Sequence, residues 1–199
     1  MTLTVEQFVE KLTPAERARA ERVESVLPAL RASAAEADRE GRFHLPNVDV
    51  LREAGLLGLV VPEKYGGLGG GLRDLAGAAY AMGTACPSTA MAYFFHCSAV
   101  SRGMLGLEAI DRGLFNDEEI PVVRAFAETV LTRMGSEAKF FANFASESAK
   151  SASAAVTIQS TAVPVEGGYR LTGVKSFGCN TGVADIYLVA ARMDGTDTA

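Results

Sequence analysis

The side chains that most often carry out catalysis are few and scattered in this sequence. His44 and His96 are its histidines, and neither has a carboxylate or a second histidine at the spacing of a zinc site. Ser88, Ser98 and Ser101 lack the GxSxG context of a hydrolase nucleophile. His96 lies in the apolar run YFFHCSAV, where a hydrogen-bonded core histidine is commoner than a catalyst. The sequence therefore indicates neither a zinc enzyme nor a serine hydrolase.

A glycine-rich run, YGGLGGG over residues 65–71, is the one stretch whose backbone amides could bind a phosphate. It contains no GxGxxG, follows no strand of a nucleotide-binding unit, and lacks the GK[ST] ending of a P-loop. Glycines also permit tight turns that other residues cannot adopt. We interpret this run as a structural connector.

Charge and cysteine content limit the partners of the protein. The 199 residues carry a net charge of -5 without any basic cluster, which argues against nucleic acid and anionic membranes. Cys86, Cys97 and Cys179 are far apart and odd in number, so neither a disulfide framework nor a metal site is predicted. The first residues lack the basic-then-apolar layout of a signal peptide, and no apolar run approaches about 20 residues. We therefore expect a cytoplasmic protein.

Helix signals fill the first two thirds of the chain. Residues 4–7 and 13–16 each resemble a capping box, and the second should begin a helix that runs from 15 to about 39. Pro28 inside that helix should kink or divide it. A short helix is predicted over residues 46–54, where Gly55 stops it.

Two further helices, over residues 74–85 and 88 to about 107, are separated by Cys86 and Pro87. Their scarcity of charge predicts burial on several sides. In the second of them, the apolar side chains expected to be buried are Met91, Phe94, Phe95, Val100, Met104 and Leu105. Another helix is expected from Asn116 to Met134.

The pattern changes after Gly135. Short segments rich in Val, Ile, Thr and aromatic residues follow, over residues 140–146, 152–165, 169–175 and 184–192. Residues 166–168 between two of them predict a hairpin turn. The expected fold class is α+β, with a helical region over 1–135 followed by antiparallel strands over 136–199. So few strands leave sheet edges that a continuing chain or another subunit should cover.

Two stretches resemble acyl-CoA dehydrogenases. Residues 51–69, LREAGLLGLVVPEKYGGLG, are similar to the family run L-x-x-x-G-L-x-G-x-x-V-P-E-x-Y-G-G-x-G. Residues 167–192 are similar to G-x-Y-x-L-N-G-x-K-x-W-I-T-N-G-x-x-A-D-x-x-x-V-x-A. The resemblance implies a helical N-terminal domain over 1–135 and the first strands of a middle β-barrel over 136–199, truncated before the domain that would complete the active site.

The resemblance also implies bound FAD. The residues placed against the flavin are Phe144, Ala145 and Ser146 on the first strand and Phe177, Gly178 and Cys179 in the second run. Ser146 keeps the hydroxyl of the family's threonine. Phe177 replaces a tryptophan, and Cys179 replaces a threonine whose hydroxyl is a stronger donor than a thiol. A structural alternative is that Phe177 and Cys179 are core residues of a barrel without flavin.

The resemblance also implies contacts with the substrate. Ser151 or Ser153 replaces the serine that contacts the acyl thioester, and His96 is a further candidate. The family's catalytic base is a glutamate of the C-terminal domain, which lies beyond this sequence, so no residue here is predicted to be catalytic. Glu147 matches a carboxylate of the family pattern and not that base.

The implied activity is α,β-dehydrogenation of an acyl-CoA or related acyl thioester by a homodimer or homotetramer. One alternative is a flavin-dependent monooxygenase of the same fold, which the altered Phe177 and Cys179 positions allow. A second is a degenerate, non-catalytic subunit. A third is an acyl group carried on a protein instead of on CoA.

Overall fold

A computed structural model of the chain describes residues 11–147 and 158–193. Six α-helices lie in the first of these ranges: α1 (Pro14–Glu40), α2 (Pro46–Glu53), α3 (Leu72–Ala85), α4 (Pro87–Ser98), α5 (Val100–Asp111) and α6 (Glu119–Met134). Five strands follow: β1 (Phe141–Phe144), β2 (Thr161–Val165), β3 (Gly168–Thr172), β4 (Ile186–Val189) and β5 (Arg192–Met193). The α+β class and the order of helices before strands are confirmed. The capping box predicted at residues 4–7 lies outside the described residues.

Helix α1 begins where the sequence predicts. Thr13 Oγ1 accepts from the Glu16 amide at 3.2 Å, and Glu16 Oε2 accepts from the Thr13 amide at 2.8 Å, which completes a capping box. Pro28 does not divide this helix, which continues to Glu40. Val23 and Leu30 are buried on either side of the proline, so packing holds both halves in one helix despite the lost backbone bond.

The single helix predicted over 88 to about 107 is two helices in the structure, because the helix is interrupted at Ala99, between α4 and α5. The expected burial is also wrong for several of its side chains. Met91, Phe94, Met104 and Leu105 are exposed. Each of these helices packs against the described residues through one face only. A scarcity of charged residues predicts burial but does not show which face of the helix is buried.

The glycine-rich run is a connector, as predicted. It follows two 3₁₀ helices, Leu56–Gly58 and Glu63–Tyr65. The amides of Leu68, Gly69 and Gly70 donate to the carbonyls of the preceding segment at 2.8–2.9 Å. These amides are therefore occupied within the fold and are not available to a phosphate.

The strands form two small sheets. The hairpin of β2 and β3 is antiparallel, with its turn at residues 166–167, as predicted. The pairs β1–β4 and β2–β5 are parallel, so the prediction of purely antiparallel strands is wrong for them. Long connections allow the chain to return in the same direction before it pairs, and a sequence pattern cannot reveal such pairing.

Two contacts fasten the β1–β4 pair to the helices. Ile186 and Leu188 of β4 pack on a buried cluster that includes Val130 and Leu131 of α6. Arg52 of α2 binds Asp185 at 3.2 Å, just before β4. Helices α2 and α6 therefore help to position the strand pair, together with α4, whose His96 accepts from the Phe141 amide. None of the helices in the described parts of the chain is long and apolar enough to cross a membrane.

Candidate functional site

An open cleft of about 460 Å³ is lined by residues of helices α5 and α6 and by residues of the β1–β4 pair and its continuation. Its walls are mostly apolar, with a few polar groups, which is the usual make-up of a small-molecule site. The lining residues are Arg102, Phe126, Asn143, Ala145, Ser146, Ile158, Leu188, Val189 and Ala190. This cleft is the candidate site.

The parallel register of β1 and β4 builds the floor of the cleft. Asn143 lies opposite Leu188, so both side chains are on the same face of the pair. The Ala190 amide donates to the Phe144 carbonyl at 3.0 Å and extends the pairing past the last ladder residues. Beyond the end of β1, Ala145 and Ser146 continue this wall.

The structure brings the two groups of predicted flavin contacts together. The Ser176 amide donates to the Ser146 carbonyl at 3.0 Å, which fixes the second group beside the first. A Cβ on Gly178 would lie 3.4 Å from the Phe144 ring, so this glycine is close to that ring. Phe144 also packs edge-on against Tyr187, with ring centroids 5.3 Å apart.

The predicted contacts are not equivalent in position. Ala145 and Ser146 line the cleft, whereas Phe144 is not among its lining residues. Phe177 is 82% exposed and has a left-handed backbone with φ of 54°, so it is not a core residue. Cys179 is partly buried with a free thiol. An exposed ring held in a strained conformation beside a cleft agrees better with a binding surface than with packing.

Asn180 holds this loop in place, although its role was not predicted. Its Nδ2 donates to the Phe141 carbonyl at 2.9 Å and to the Ala92 carbonyl at 3.0 Å. Its φ of 66° is one that asparagine tolerates better than most residues. One side chain therefore joins the loop to both α4 and β1. The signal was present, since Asn180 matches the asparagine of the family run.

Glu147 is the centre of a polar network next to Ser146. Its Oε1 accepts from the Lys175 ammonium at 2.6 Å, from the Ser160 hydroxyl at 2.7 Å and from the Ser160 amide at 3.0 Å. The bond from Lys175, followed by those from Ser160 and Gln159, lowers the pKa of Glu147 from its ordinary 4.5 to about 2. A carboxylate held this firmly ionised is a poor proton acceptor, so Glu147 positions the chain and does not act as a base.

His96 is a core residue. It is fully buried, its Nε2 lies 2.8 Å from the Leu57 carbonyl, and its Nδ1 accepts from the Phe141 amide at 3.0 Å. Burial lowers the pKa of His96 from 6.5 to about 4, which keeps the ring neutral. Because both ring nitrogens are occupied, the structure contradicts the expectation that His96 contacts a substrate. The other candidate substrate contacts, Ser151 and Ser153, lie outside the described residues.

The groups around the cleft fit a flavin. Ser176 Oγ is buried and has no hydrogen-bond partner in the described part of the chain. This hydroxyl, next to Ser146, can therefore donate to or accept from a ligand. Phe177 offers a flat, unpacked aromatic face. Within the described ranges, no group of three or more His, Cys, Asp or Glu side chains is arranged to hold a metal ion.

Comparison with known proteins matches residues 13–107 to the family described as acyl-CoA dehydrogenase, N-terminal domain. Over 193 residues the chain is 31% identical to the amino sugar nitrososynthase DnmZ of Streptomyces peucetius. The alignment covers 93% of this chain and 42% of that protein. Over 149 residues it is 34% identical to an L-prolyl-[peptidyl-carrier protein] dehydrogenase of Pseudomonas fluorescens. This alignment covers 70% of this chain and 33% of that protein.

A similar fold is found among solved structures. The structure of KijD3 in complex with FMN and dTDP-3-amino-2,3,6-trideoxy-4-keto-3-methyl-D-glucose superposes with a TM-score of 0.74 at 31% identity. The superposition covers 94% of this chain and 42% of KijD3. This chain therefore spans less than half of the length of each of these three proteins.

Proposed function

Because the chain belongs to the acyl-CoA dehydrogenase family, we propose that it is the front part of a flavin-dependent oxidoreductase. Residues 1–135 would form the N-terminal helical domain, and residues 136–199 would form the beginning of the middle domain. The observation that carries this proposal is the joining of Ser146 and Ser176 at the edge of the cleft, through the 3.0 Å bond between their backbones. That bond brings both groups of predicted flavin contacts to one place.

The proposed contacts with the cofactor are of two kinds, hydrogen bonds and aromatic packing. The hydroxyls of Ser146 and Ser176 would hydrogen-bond the polar edge of the flavin ring, and Phe177 would pack on its face. Asn180 and the Glu147–Lys175 pair keep the two segments in register. When bound, a flavin supplies the redox chemistry that protein side chains lack. Since KijD3 holds FMN, we propose a flavin without restricting it to the FAD of the original expectation.

We propose oxygenation of an amine-bearing substrate as the first candidate activity. The supporting observation is the match to the nitrososynthase, which extends over 93% of this chain. KijD3 binds an amino sugar linked to dTDP, so a nucleotide-linked amine is the corresponding substrate class. This candidate was an alternative to dehydrogenation in the sequence-based expectations.

Dehydrogenation of an acyl thioester is the second candidate. The match to the prolyl-carrier dehydrogenase favours it, with 34% identity over 149 residues. Under this proposal the acyl group is carried on CoA or on a carrier protein. For dehydrogenation, the catalytic glutamate of the family would come from the C-terminal domain, and this chain would position the flavin. Assembly as a homodimer or homotetramer belongs to the same proposal.

The test uses the full-length protein that contains this chain. A flavin absorbance spectrum after purification, or after addition of FMN or FAD, is the expected result. Anaerobic bleaching by an acyl thioester would then support dehydrogenation. Substrate-dependent oxygen uptake with reduced flavin, using a dTDP-linked amino sugar, would support oxygenation. A full-length protein that stays colourless with both flavins would overturn the proposed function and favour the non-catalytic alternative.

A further inference from the structure

Among the described residues that line the cleft, Arg102 on α5 is the charged one. The other lining residues that the structure describes are apolar or neutral, so none of them offers a carboxylate to the guanidinium. Arg102 has neither a hydrogen bond from its side chain nor an ion pair with any of the residues that the structure describes. By contrast, Arg112 at the end of the same helix is bound to Glu108 at 2.7 Å.

An arginine in this setting has a definite binding preference. The guanidinium stays charged at all relevant pH values and presents its N–H donors in a planar fork, which matches the oxygens of a phosphate. Leu188 and Val189 of the opposite wall are apolar. These two side chains offer the guanidinium no hydrogen-bond acceptor, so they do not compete with a ligand for its donors.

We propose that Arg102 binds a phosphate group of the substrate in this cleft. The proposal rests on the proposed function and concerns those of its substrates that carry a diphosphate, a nucleotide-linked amino sugar and an acyl-CoA. It assigns Arg102 to the phosphate of the substrate and not to that of the flavin. Ser146, a proposed flavin contact, lines the same cleft, so the experiment has to measure the affinity for both ligands. Arg102 would thus set the requirement for an anionic carrier group on the substrate.

The experiment measures binding of two probes, dTDP and coenzyme A, to the full-length protein by titration calorimetry. The probes are tested separately on flavin-free and flavin-loaded protein. Variants are Arg102→Gln and Arg102→Lys, with Arg112→Gln as the control on the same helix outside the cleft. We expect Arg102→Gln to raise the Kd of the probe that binds by about ten- to a hundredfold, the usual range for losing hydrogen bonds to a charged group.

Arg102→Lys should raise the Kd of the probe less than Arg102→Gln does, because lysine keeps the positive charge but lacks the planar arrangement of N–H donors. Arg112→Gln should leave the Kd unchanged, and the flavin Kd should be the same in all variants. Which probe responds identifies the carrier, a nucleotide or CoA.

Three outcomes would overturn the proposal: equal probe affinity in wild type and Arg102→Gln, a loss of flavin affinity in place of probe affinity, or no binding of either probe by wild type. Binding is read without turnover, so failure of the flavin chemistry is seen separately in the absorbance spectrum. Arg102 is exposed, so we expect the variants to keep the wild-type melting temperature, which shows that they fold.

Discussion

The ammonium of Lys175 lies 2.6 Å from Oε1 of Glu147, and both side chains are almost entirely withdrawn from solvent. The pair joins the residue after Ser146 to the residue before Ser176, the two positions whose backbones meet at the edge of the cleft. A charged pair at this point fixes the spacing between the two proposed flavin-binding segments. Its strength should depend on the ionisation of Glu147.

We expect Glu147→Gln to lower stability in a pH-dependent way. The folded pKa of about 2 lies below the ordinary 4.5, so the carboxylate stabilises the fold fully above 4.5 and loses this effect as pH falls towards 2. The difference in unfolding free energy between wild type and Glu147→Gln should be constant near neutral pH and should shrink below 4.5. Urea unfolding at several pH values measures it. Glu166→Gln, in the exposed hairpin turn, is the control, and a pH-independent difference for Glu147→Gln would contradict the assignment.

His96 should make stability depend on pH in a higher window. Its pKa is about 4 when folded and 6.5 ordinarily, so the unfolded chain binds the proton more readily. Stability from the neutral ring is therefore complete above 6.5 and declines as pH falls towards 4. Removing the imidazole should remove this decline, which unfolding measurements between these pH values would detect.

Two variants separate ionisation from packing at this position. His96→Gln can still donate to the Leu57 carbonyl and accept from the Phe141 amide, so we expect a modest loss of stability and no titration in this window. His96→Ala leaves both backbone groups unpaired beside a cavity, which should cost about 2–5 kcal/mol. A His96→Gln protein that keeps the wild-type pH dependence would show that another group is responsible.

Asn180 contributes through both its side chain and its backbone. Asn180→Gly keeps the left-handed φ of 66° and loses the bonds to Phe141 and Ala92, so it should cost about 1–3 kcal/mol. Asn180→Ala loses the same bonds and adds backbone strain of about 1 kcal/mol. We also expect both variants to bind flavin more weakly in the full-length protein, since the loop around Phe177 loses its anchor. Chemical unfolding and flavin titration measure the two effects, and equal stability of the Gly and Ala variants would contradict the strain.

The fold could be predicted from sequence where the signal is local. The capping box at Thr13 and the hairpin turn at residues 166–167 depend on neighbouring residues, and both are where the sequence places them. The break at Ala99 has no proline or glycine to mark it. The parallel pairing of β1 and β4 joins Phe141 to Ile186, which are far apart in the chain, so no local pattern encodes it.

In the candidate site, too, the sequence predicts local segments but not the tertiary contacts between them. Family motifs identified the segments around Ser146 and Phe177, and the structure brings them together. The partners that hold them depend on tertiary contacts, so the bond of Lys175 to Glu147 was not foreseen. For the same reason the sequence left two interpretations of His96, a core histidine and a substrate contact, and its buried surroundings agree with the first.

The glycine-rich connector offers a matched pair of substitutions in one run. A Cβ on Gly67 would lie 2.1 Å from the Val61 carbonyl oxygen, a clash that only movement of the backbone relieves, whereas a Cβ on Gly71 meets nothing within 4 Å. We therefore expect Gly67→Ala to destabilise the protein by at least about 2 kcal/mol, in the range of overpacked cores. Gly71→Ala should change stability by less than about 0.5 kcal/mol, as surface substitutions do. Chemical unfolding of the two variants beside wild type measures both. Equal stability of the two would mean that the close approach of Gly67 to Val61 does not hold the connector, and that the run tolerates side chains throughout.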